Sequence, residues 1–230
     1  MRESDLISEQ TRRAHQDACC DPVFNWQDRQ DFDFASRGLI CRPDDRDIRD
    51  ADGDIVWHHE QFEAFLHGEA PATVHPSLWR HALLNNYRGL FKVCEGVWQV
   101  RGESLGNATF VQTDTGYICI DPLTTVETAR YAVELLYEHV GKRPIVGMIY
   151  SHTHSDHFGG VKGMITVEDV AKGRCLVVAS EGFTEWVLKE QGMAAEGMPS
   201  RNDYMYGENL EVSATGIVDT GLGQMIEGGE

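Results

Sequence analysis

A run of metal-binding side chains directly after an apolar segment constrains this chain more than any other feature. Residues 145–150 read Ile-Val-Gly-Met-Ile-Tyr, a composition and length typical of a buried strand. The next residues supply three imidazoles and one carboxylate within six positions: His152, His154, Asp156 and His157. The sequence therefore predicts a strand that delivers a cluster of ligands to the end of a sheet.

Imidazole and carboxylate groups are typical ligands of divalent metals, Zn²⁺ above all. In a turned loop His152 and His154 share one side and are able to grip one ion, while Asp156 and His157 reach a second. Two metals roughly 3.5–4 Å apart hold a hydroxide between them and orient an anionic ester. The alternative is a solvated histidine-rich turn, which four ligand-type residues directly after a buried strand make unfavourable.

Asp121 is the second residue that the pattern singles out, because it ends the strand-like run 117–120. A carboxylate there is able to accept the free N–H of a ligating imidazole and fix its tautomer. The alternative is a turn-forming Asp before Pro122. A helix is expected next, with Thr124 and Glu127 as a capping box and an apolar stripe behind it.

The remaining histidines are not expected to bind metal. His58 and His59 are neighbours on a predicted strand, point to opposite faces and are expected at the surface. All ten histidines lie at or before His157. Two metals need more ligands than the cluster provides. The carboxylates after His157 could contribute, but no sequence motif around them identifies any one as a ligand.

Composition excludes several function classes. The formal charge is 20 − 37 = −17, which disfavours a nucleic-acid partner, whereas bound metal ions are able to supply positive charge for an anionic substrate. No apolar signal segment and no run of about 18 apolar residues is visible, so we expect a cytoplasmic protein without a membrane span. The six cysteines show no CxxC spacing and are expected as free thiols.

The pattern HxHxDH at residues 152–157 resembles the signature of the metallo-β-lactamase superfamily. The flanking blocks look like its alkylsulfatase branch, and they are residues 76–80, 89–91, 117–124, 157–161, 181–183 and 204–207. The resemblance implies an α+β fold, the αββα metallo-β-lactamase-like sandwich, in residues 86–230, incomplete at the C-terminus. Residues 1–85 are expected as an N-terminal extension packed on this domain. The chain resembles the N-terminal third of such an enzyme, a truncated gene or fragment.

The resemblance also implies a function: zinc-dependent hydrolysis of alkyl sulfate esters to alcohol and sulfate by a metal-activated water. His152 and His154 are expected to bind one zinc ion, and Asp156 and His157 the other. Tyr206 is a candidate hydrogen-bond donor to the sulfate, with simple packing as the equal alternative. The further ligands and sulfate-binding residues are expected beyond residue 230, so we expect impaired activity. The resemblance implies a homodimer for the full-length protein.

Two alternatives stay open at the level of the sequence. One is a different hydrolase of the same fold, or a mononuclear iron oxygenase. The other is a non-catalytic remnant that only packs or dimerises. The last ten residues, 221–230, show neither cap nor periodicity and are expected as a loop.

Overall fold

The computed structural model describes residues 6–44, 47–193, 197–224 and Gly229. In this part of the chain the strands are β1 Leu39–Cys41, β2 Asp47–Arg49, β3 Ile55–His58, β4 Gly89–Cys94, β5 Val97–Arg101, β6 Ala108–Gln112, β7 Tyr117–Ile120, β8 Ile145–Ile149 and β9 Leu176–Val178. The helices are α1 Glu9–Cys20, α2 Gln30–Ser36, α3 Glu60–Glu63, α4 Pro76–Asn85, α5 Val126–His139, α6 Val167–Ala171, α7 Phe183–Met193 and α8 Gly197–Tyr206.

One large sheet organises these elements, in the order β1-β4-β5-β6-β7-β8-β9. The strands from β1 to β7 pair antiparallel, whereas β7, β8 and β9 pair parallel. A parallel pair needs a crossover connection, and α5 provides it between β7 and β8. The α+β class predicted from the sequence is confirmed.

The core lies between this sheet and α5. Apolar residues alternate along the middle strands, so that Trp98 and Val100 of β5 and Phe110 of β6 are buried on one face. The apolar stripe of α5 brings Leu136 and its neighbours into the same cluster. The sheet edge that carries the histidines is thus held by a packed core rather than by the loop alone.

The start of α5 differs by one residue from the sequence prediction. Thr125, not Thr124, is the N-cap, and its side chain accepts from the backbone N–H of Thr128 at 3.2 Å. Thr128 completes the capping box in place of the predicted Glu127. Thr124 does not cap the helix, because its hydroxyl is hydrogen-bonded to the hydroxyl of Ser104 at 3.1 Å.

The predicted extension contributes directly to the sheet. Its strand β1 pairs with β4, and β2 and β3 form a separate antiparallel hairpin. A second apolar cluster, separate from the core of the large sheet, contains Phe62, Trp79 and Val218. In the described residues no helix combines the length and apolar character needed to cross a bilayer. Of the predicted C-terminal loop, residues 225–228 and 230 lie outside the described residues.

Candidate metal centre

The ends of β7 and β8 leave the sheet side by side and create the candidate site. The two strands run parallel with Ile120 opposite Ile149, so the residues after each strand emerge at the same edge. The backbone N–H of Asp121 donates to the carbonyl of Ile149 at 3.0 Å and extends the pairing by one step. Asp121 therefore lies against the start of residues 151–160, which contain the histidines and are called the histidine loop below.

The carboxylate of Asp121 contacts three polar groups of this loop, two on Ser151 and one on His157. Oδ1 accepts from the backbone N–H of Ser151 at 2.8 Å, and Oδ2 accepts from the hydroxyl of Ser151 at 2.6 Å. Oδ2 also lies 2.8 Å from Nδ1 of His157. The backbone of Asp121 has φ of 60°, a left-handed conformation that Asp tolerates better than most residues. Asp121 thus contacts a histidine of the loop, and its role behind a metal ligand stays a prediction.

The three predicted imidazoles lie close together beyond Asp121. The ring centroids of His152 and His157 are 4.0 Å apart, and those of His152 and His154 are 4.7 Å apart. Oδ2 of Asp156 lies 3.0 Å from Nε2 of His157. The hydrogen bond to Asp156 raises the pKa of His157 to about 9, with the Asp121 contact adding to this shift and burial opposing it.

Hydrogen bonds to Nδ1 of His152 and of His157 leave Nε2 of each ring to face the cluster. The hydroxyl proton of Ser151 is given to Asp121, so its oxygen accepts from Nδ1–H of His152 at 3.0 Å. The lone pair of His152 is then on Nε2. In His157 Asp121 likewise holds the Nδ1 proton and directs Nε2 towards Asp156.

The chemistry of these donors fits a divalent metal such as zinc. Three imidazoles and one carboxylate converge within the loop, and two of the rings are oriented through the nitrogen that faces away from the cluster. As arranged, His157 pairs with Asp156. Among the described residues, no three His, Cys, Asp or Glu side chains are spaced to hold an ion together. Ligation requires the Nε2 proton of His157 to leave.

Close backbone packing holds the loop in place, and it requires glycine. A Cβ on Gly160 would lie 2.3 Å from the carbonyl oxygen of Thr125 and 2.4 Å from that of Pro122. A Cβ on Gly106 would lie 2.5 Å from the carbonyl oxygen of Asp156. The loop thus packs between the start of α5 and the loop between β5 and β6, without room for side chains at these positions.

Glu190 is a site residue that the sequence analysis missed. Its Oε1 lies 3.0 Å from Nε2 of His154, and its Oε2 accepts from the hydroxyl of Thr153 at 3.1 Å. Glu190 lies on α7, far along the chain from the loop, in a helix whose sequence shows no ligand motif. The ring of Phe183, the first residue of α7, contacts Tyr150 after β8 and Phe158 of the loop, and this tertiary packing brings the carboxylate to the histidine.

Tyr206 is not brought to the histidines. It is the last residue of α8 and is half-buried. Within the described ranges its side chain makes no hydrogen bond and no ring contact with the histidine cluster. Its assignment to the sulfate stays a prediction without support from the geometry.

The surface prediction for His59 is wrong, because its ring is buried and 1% exposed. Nε2 of His59 lies 2.8 Å from Oε2 of Glu103, which is itself fully buried, and Oε1 of Glu103 accepts from Arg88 at 3.2 Å. The hydrogen bonds among His59, Glu103 and Arg88 offset the cost of burial. His58 is partly exposed and pairs with Asp47. His58 ends β3 whereas His59 precedes α3, so the two neighbours do not share a strand, and only His58 is in contact with water.

Known proteins share the fold and much of the sequence of this chain. The family model described as "Metallo-beta-lactamase superfamily" matches residues 101–229. The chain is 42% identical over 200 residues to an alkyl/aryl-sulfatase of Saccharomyces cerevisiae, covering 86% of this chain and 31% of that protein. It is 43% identical over 195 residues to an (R)-specific secondary-alkylsulfatase of Pseudomonas sp., covering 85% of this chain and 29% of that protein.

A solved structure agrees with this similarity. The stereoselective inverting sec-alkylsulfatase Pisa1 from Pseudomonas sp. superposes with a TM-score of 0.87 at 39% identity, covering 96% of this chain and 34% of that one. The chain spans about a third of the length of the relatives it matches. Because the family model matches more than half of its residues, the chain belongs to the metallo-β-lactamase superfamily.

Proposed function

We propose that this chain carries the metal-binding part of an enzyme that hydrolyses alkyl sulfate esters to an alcohol and inorganic sulfate. In this proposal His152 and His154 hold one zinc ion, and Asp156 and His157 hold a second. The observation that carries it is the convergence of these side chains at the end of β8, with Asp121 against His157. The similarity to alkylsulfatases supports the substrate class.

The negative charge of the chain means that an anionic substrate needs a local positive charge, which a bound metal ion would supply. At a formal charge of −17 the protein repels a sulfate ester. Bound zinc supplies local positive charge, acts as a Lewis acid on the ester and lowers the pKa of water from about 15.7 to about 7. The histidine loop is the place in the described structure where donors of the right chemistry converge.

Asp121 and Ser151 orient the proposed metal ligands through hydrogen bonds. Asp121 keeps the proton of His157 on Nδ1 and holds Ser151 at the base of the loop. Ser151 in turn orients the ring of His152. Tyr206 is kept in the proposal as a donor to the sulfate only through the resemblance of its sequence block, and Tyr206→Phe tests it by a rise in KM.

Metal binding is tested on the 230-residue chain itself. The chain is stripped with a chelator and dialysed against zinc, and bound metal is counted by elemental analysis, which also distinguishes zinc from iron. We expect at least one zinc per chain, and a loss of binding in His154→Ala but not in His67→Ala, a change at an exposed histidine outside the loop. Less than one metal per chain, or a single iron, would overturn the zinc centre.

Activity is tested as release of sulfate from dodecyl sulfate, kept well below its denaturing concentration. No histidine follows His157, so we expect little or no release by this chain, and any release should depend on zinc and be abolished by Asp156→Ala. Release that does not depend on zinc would sink the proposed hydrolysis. Turnover equal to that of a complete alkylsulfatase would instead refute the expectation of impaired activity.

We also propose that residues 1–85 form an extension that packs on a domain starting near residue 86. The pairing of β1 with β4 supports such packing. Limited proteolysis tests the boundary, and cleavage near residue 85 that releases a stable core is the expected result. The homodimer is proposed from the resemblance alone, and light scattering checks it.

A further inference from the structure

Glu190 of α7 binds two adjacent residues of the histidine loop at once. Its Oε1 lies 3.0 Å from Nε2 of His154, and its Oε2 accepts from the hydroxyl of Thr153 at 3.1 Å. One carboxylate thus spans the loop next to a proposed metal ligand. No other acidic side chain of the described structure is paired with the ring of His154.

We propose that Glu190 is a positioning residue that fixes the tautomer of His154 and leaves Nδ1 as the metal-binding atom. This inference rests on the proposed metal centre. An ionised carboxylate only accepts hydrogen bonds, so the ring nitrogen that faces it carries the proton. In the neutral ring the lone pair is then on the opposite nitrogen, Nδ1.

The same logic gives the opposite result in His157. There the carboxylate of Asp121 faces Nδ1, and Nε2 faces Asp156, itself a proposed metal ligand, so Nε2 becomes the metal-binding atom once its proton leaves. Two carboxylates, one from the end of β7 and one from α7, therefore select different ligand atoms in two histidines of one loop. A carboxylate behind a ligating histidine is a recurrent arrangement that fixes ring orientation and raises ligand basicity.

Several contacts distinguish Glu190 from an ordinary surface ion pair. Its side chain is 33% exposed, less than the 56% of His154. The hydroxyl of Thr153 fixes the second oxygen, so the carboxylate is held at both ends. The neighbouring cation Lys189 is paired with Glu185 at 2.6 Å and lies over the ring of Trp186. The negative charge of Glu190 is thus directed at the loop.

The opposite role makes a different prediction. If Glu190 merely occupied the metal-binding nitrogen of His154, its removal would free the ring and zinc would bind more tightly. If Glu190 positions the ring, its removal releases the tautomer and zinc binds more weakly. The sign of the change in zinc affinity therefore separates the two roles.

The test compares the parent chain with Glu190→Ala, Glu190→Gln and the matched control Glu185→Ala on the same helix. Long-range ¹H–¹⁵N spectra of the zinc-free proteins identify which nitrogen of His154 is protonated. Zinc affinity is measured by competition with a chromophoric chelator, and the visible spectrum of the cobalt-substituted protein reports the ligand field. Circular dichroism confirms that each variant is folded.

We expect the proton on Nε2 in the parent and a mixture of tautomers in Glu190→Ala. Zinc affinity should fall about tenfold or more in Glu190→Ala, with a changed cobalt spectrum. Glu190→Gln, whose amide oxygen still accepts from Nε2–H, should recover part of the affinity, and Glu185→Ala should match the parent.

A proton on Nδ1 of His154 in the parent would overturn the inference, as would unchanged or tighter zinc binding by Glu190→Ala. A parent chain that binds no zinc would defeat the proposed metal centre, and the tautomer spectra would still decide the role of Glu190.

Discussion

Nδ1 of His157 lies 2.8 Å from Oδ2 of Asp121, across 36 residues of sequence. The same carboxylate accepts from the backbone N–H and the hydroxyl of Ser151. One side chain at the end of β7 therefore fixes both the first residue of the histidine loop and the ring of its last histidine. The parallel register of β7 and β8 makes these contacts possible.

Replacing Asp121 by Asn should weaken zinc binding by about 10–100-fold. Asn tolerates the left-handed backbone at this position, and its carbonyl oxygen is able to keep the contact with the N–H of Ser151. Its amide group donates where Oδ2 accepted, which forces Nδ1 of His157 to become the acceptor and moves the proton to Nε2. Chelator competition measures the affinity. Asp114→Asn, at an exposed turn, is the control, and equal affinity in both variants would contradict the role of Asp121.

Replacing Gly160 by Ala should destabilise the fold by about 1–3 kcal/mol or more, as overpacking does. The added Cβ would meet two backbone carbonyl oxygens at 2.3 and 2.4 Å, and neither is the end of a flexible side chain. Urea unfolding measures the loss. Gly192→Ala is the matched control, because nothing lies within 4 Å of its Cβ and Ala favours the helix. A Gly160→Ala protein as stable as the parent would show that α5 and the loop adjust freely.

Replacing Arg88 by Met should cost about 3–5 kcal/mol, because it leaves a buried carboxylate without its cation. Arg88 is 3% exposed and bonds Glu103 and Glu63 at 3.2 and 3.0 Å. Arg13→Met removes an exposed pair with Glu9 and should cost under about 1 kcal/mol. Chemical unfolding of both variants provides the comparison. Similar small losses in the two would mean that the buried network contributes nothing to stability.

Acid should destabilise the fold partly through Glu63. Burial opposes ionisation of this residue, but hydrogen bonds from Arg42 and Arg88 outweigh it and lower its pKa below the ordinary 4.5. The folded pKa is thus below the unfolded one. The stability contributed by ionised Glu63 is complete above pH 4.5 and is lost as the pH falls through the folded pKa.

Urea unfolding at a series of acidic pH values measures this contribution. Glu63→Gln should be less stable than the parent near neutral pH and should lose stability less steeply on acidification. Glu69→Gln, an exposed change in the loop before α4, should retain the slope of the parent. Parallel curves for the parent and Glu63→Gln would refute the assignment.

Local patterns predicted much of this fold. Short apolar runs located the strands β7 and β8, and the apolar stripe of α5 located the crossover helix, because burial leaves a pattern in the local sequence. The start of α5 was displaced by one residue, since Thr124 and Thr125 are equally good caps in isolation. The contact of Thr124 with Ser104 removed it from the helix.

The burial of His59 had no local signal. Its neighbours indicate a strand end, but its environment is set by Glu103, 44 residues later. A buried histidine needs a polar partner, and that partner is set by the packing of the hairpin β2–β3 against α5 and against the loop after β5. The relative directions of neighbouring residues on a strand do not predict which of them is buried.

The donor cluster of the histidine loop, its position after a buried strand and the chemistry of its four side chains follow from the amino-acid sequence. These properties are local, because six consecutive positions contain all four donors. The partner of each ring depends on the folded chain: Asp121 contacts His157, and Glu190 contacts His154. Those contacts join residues 36 or more positions apart, and they depend on the parallel pairing of β7 with β8 and on the placement of α7, which no local pattern specifies.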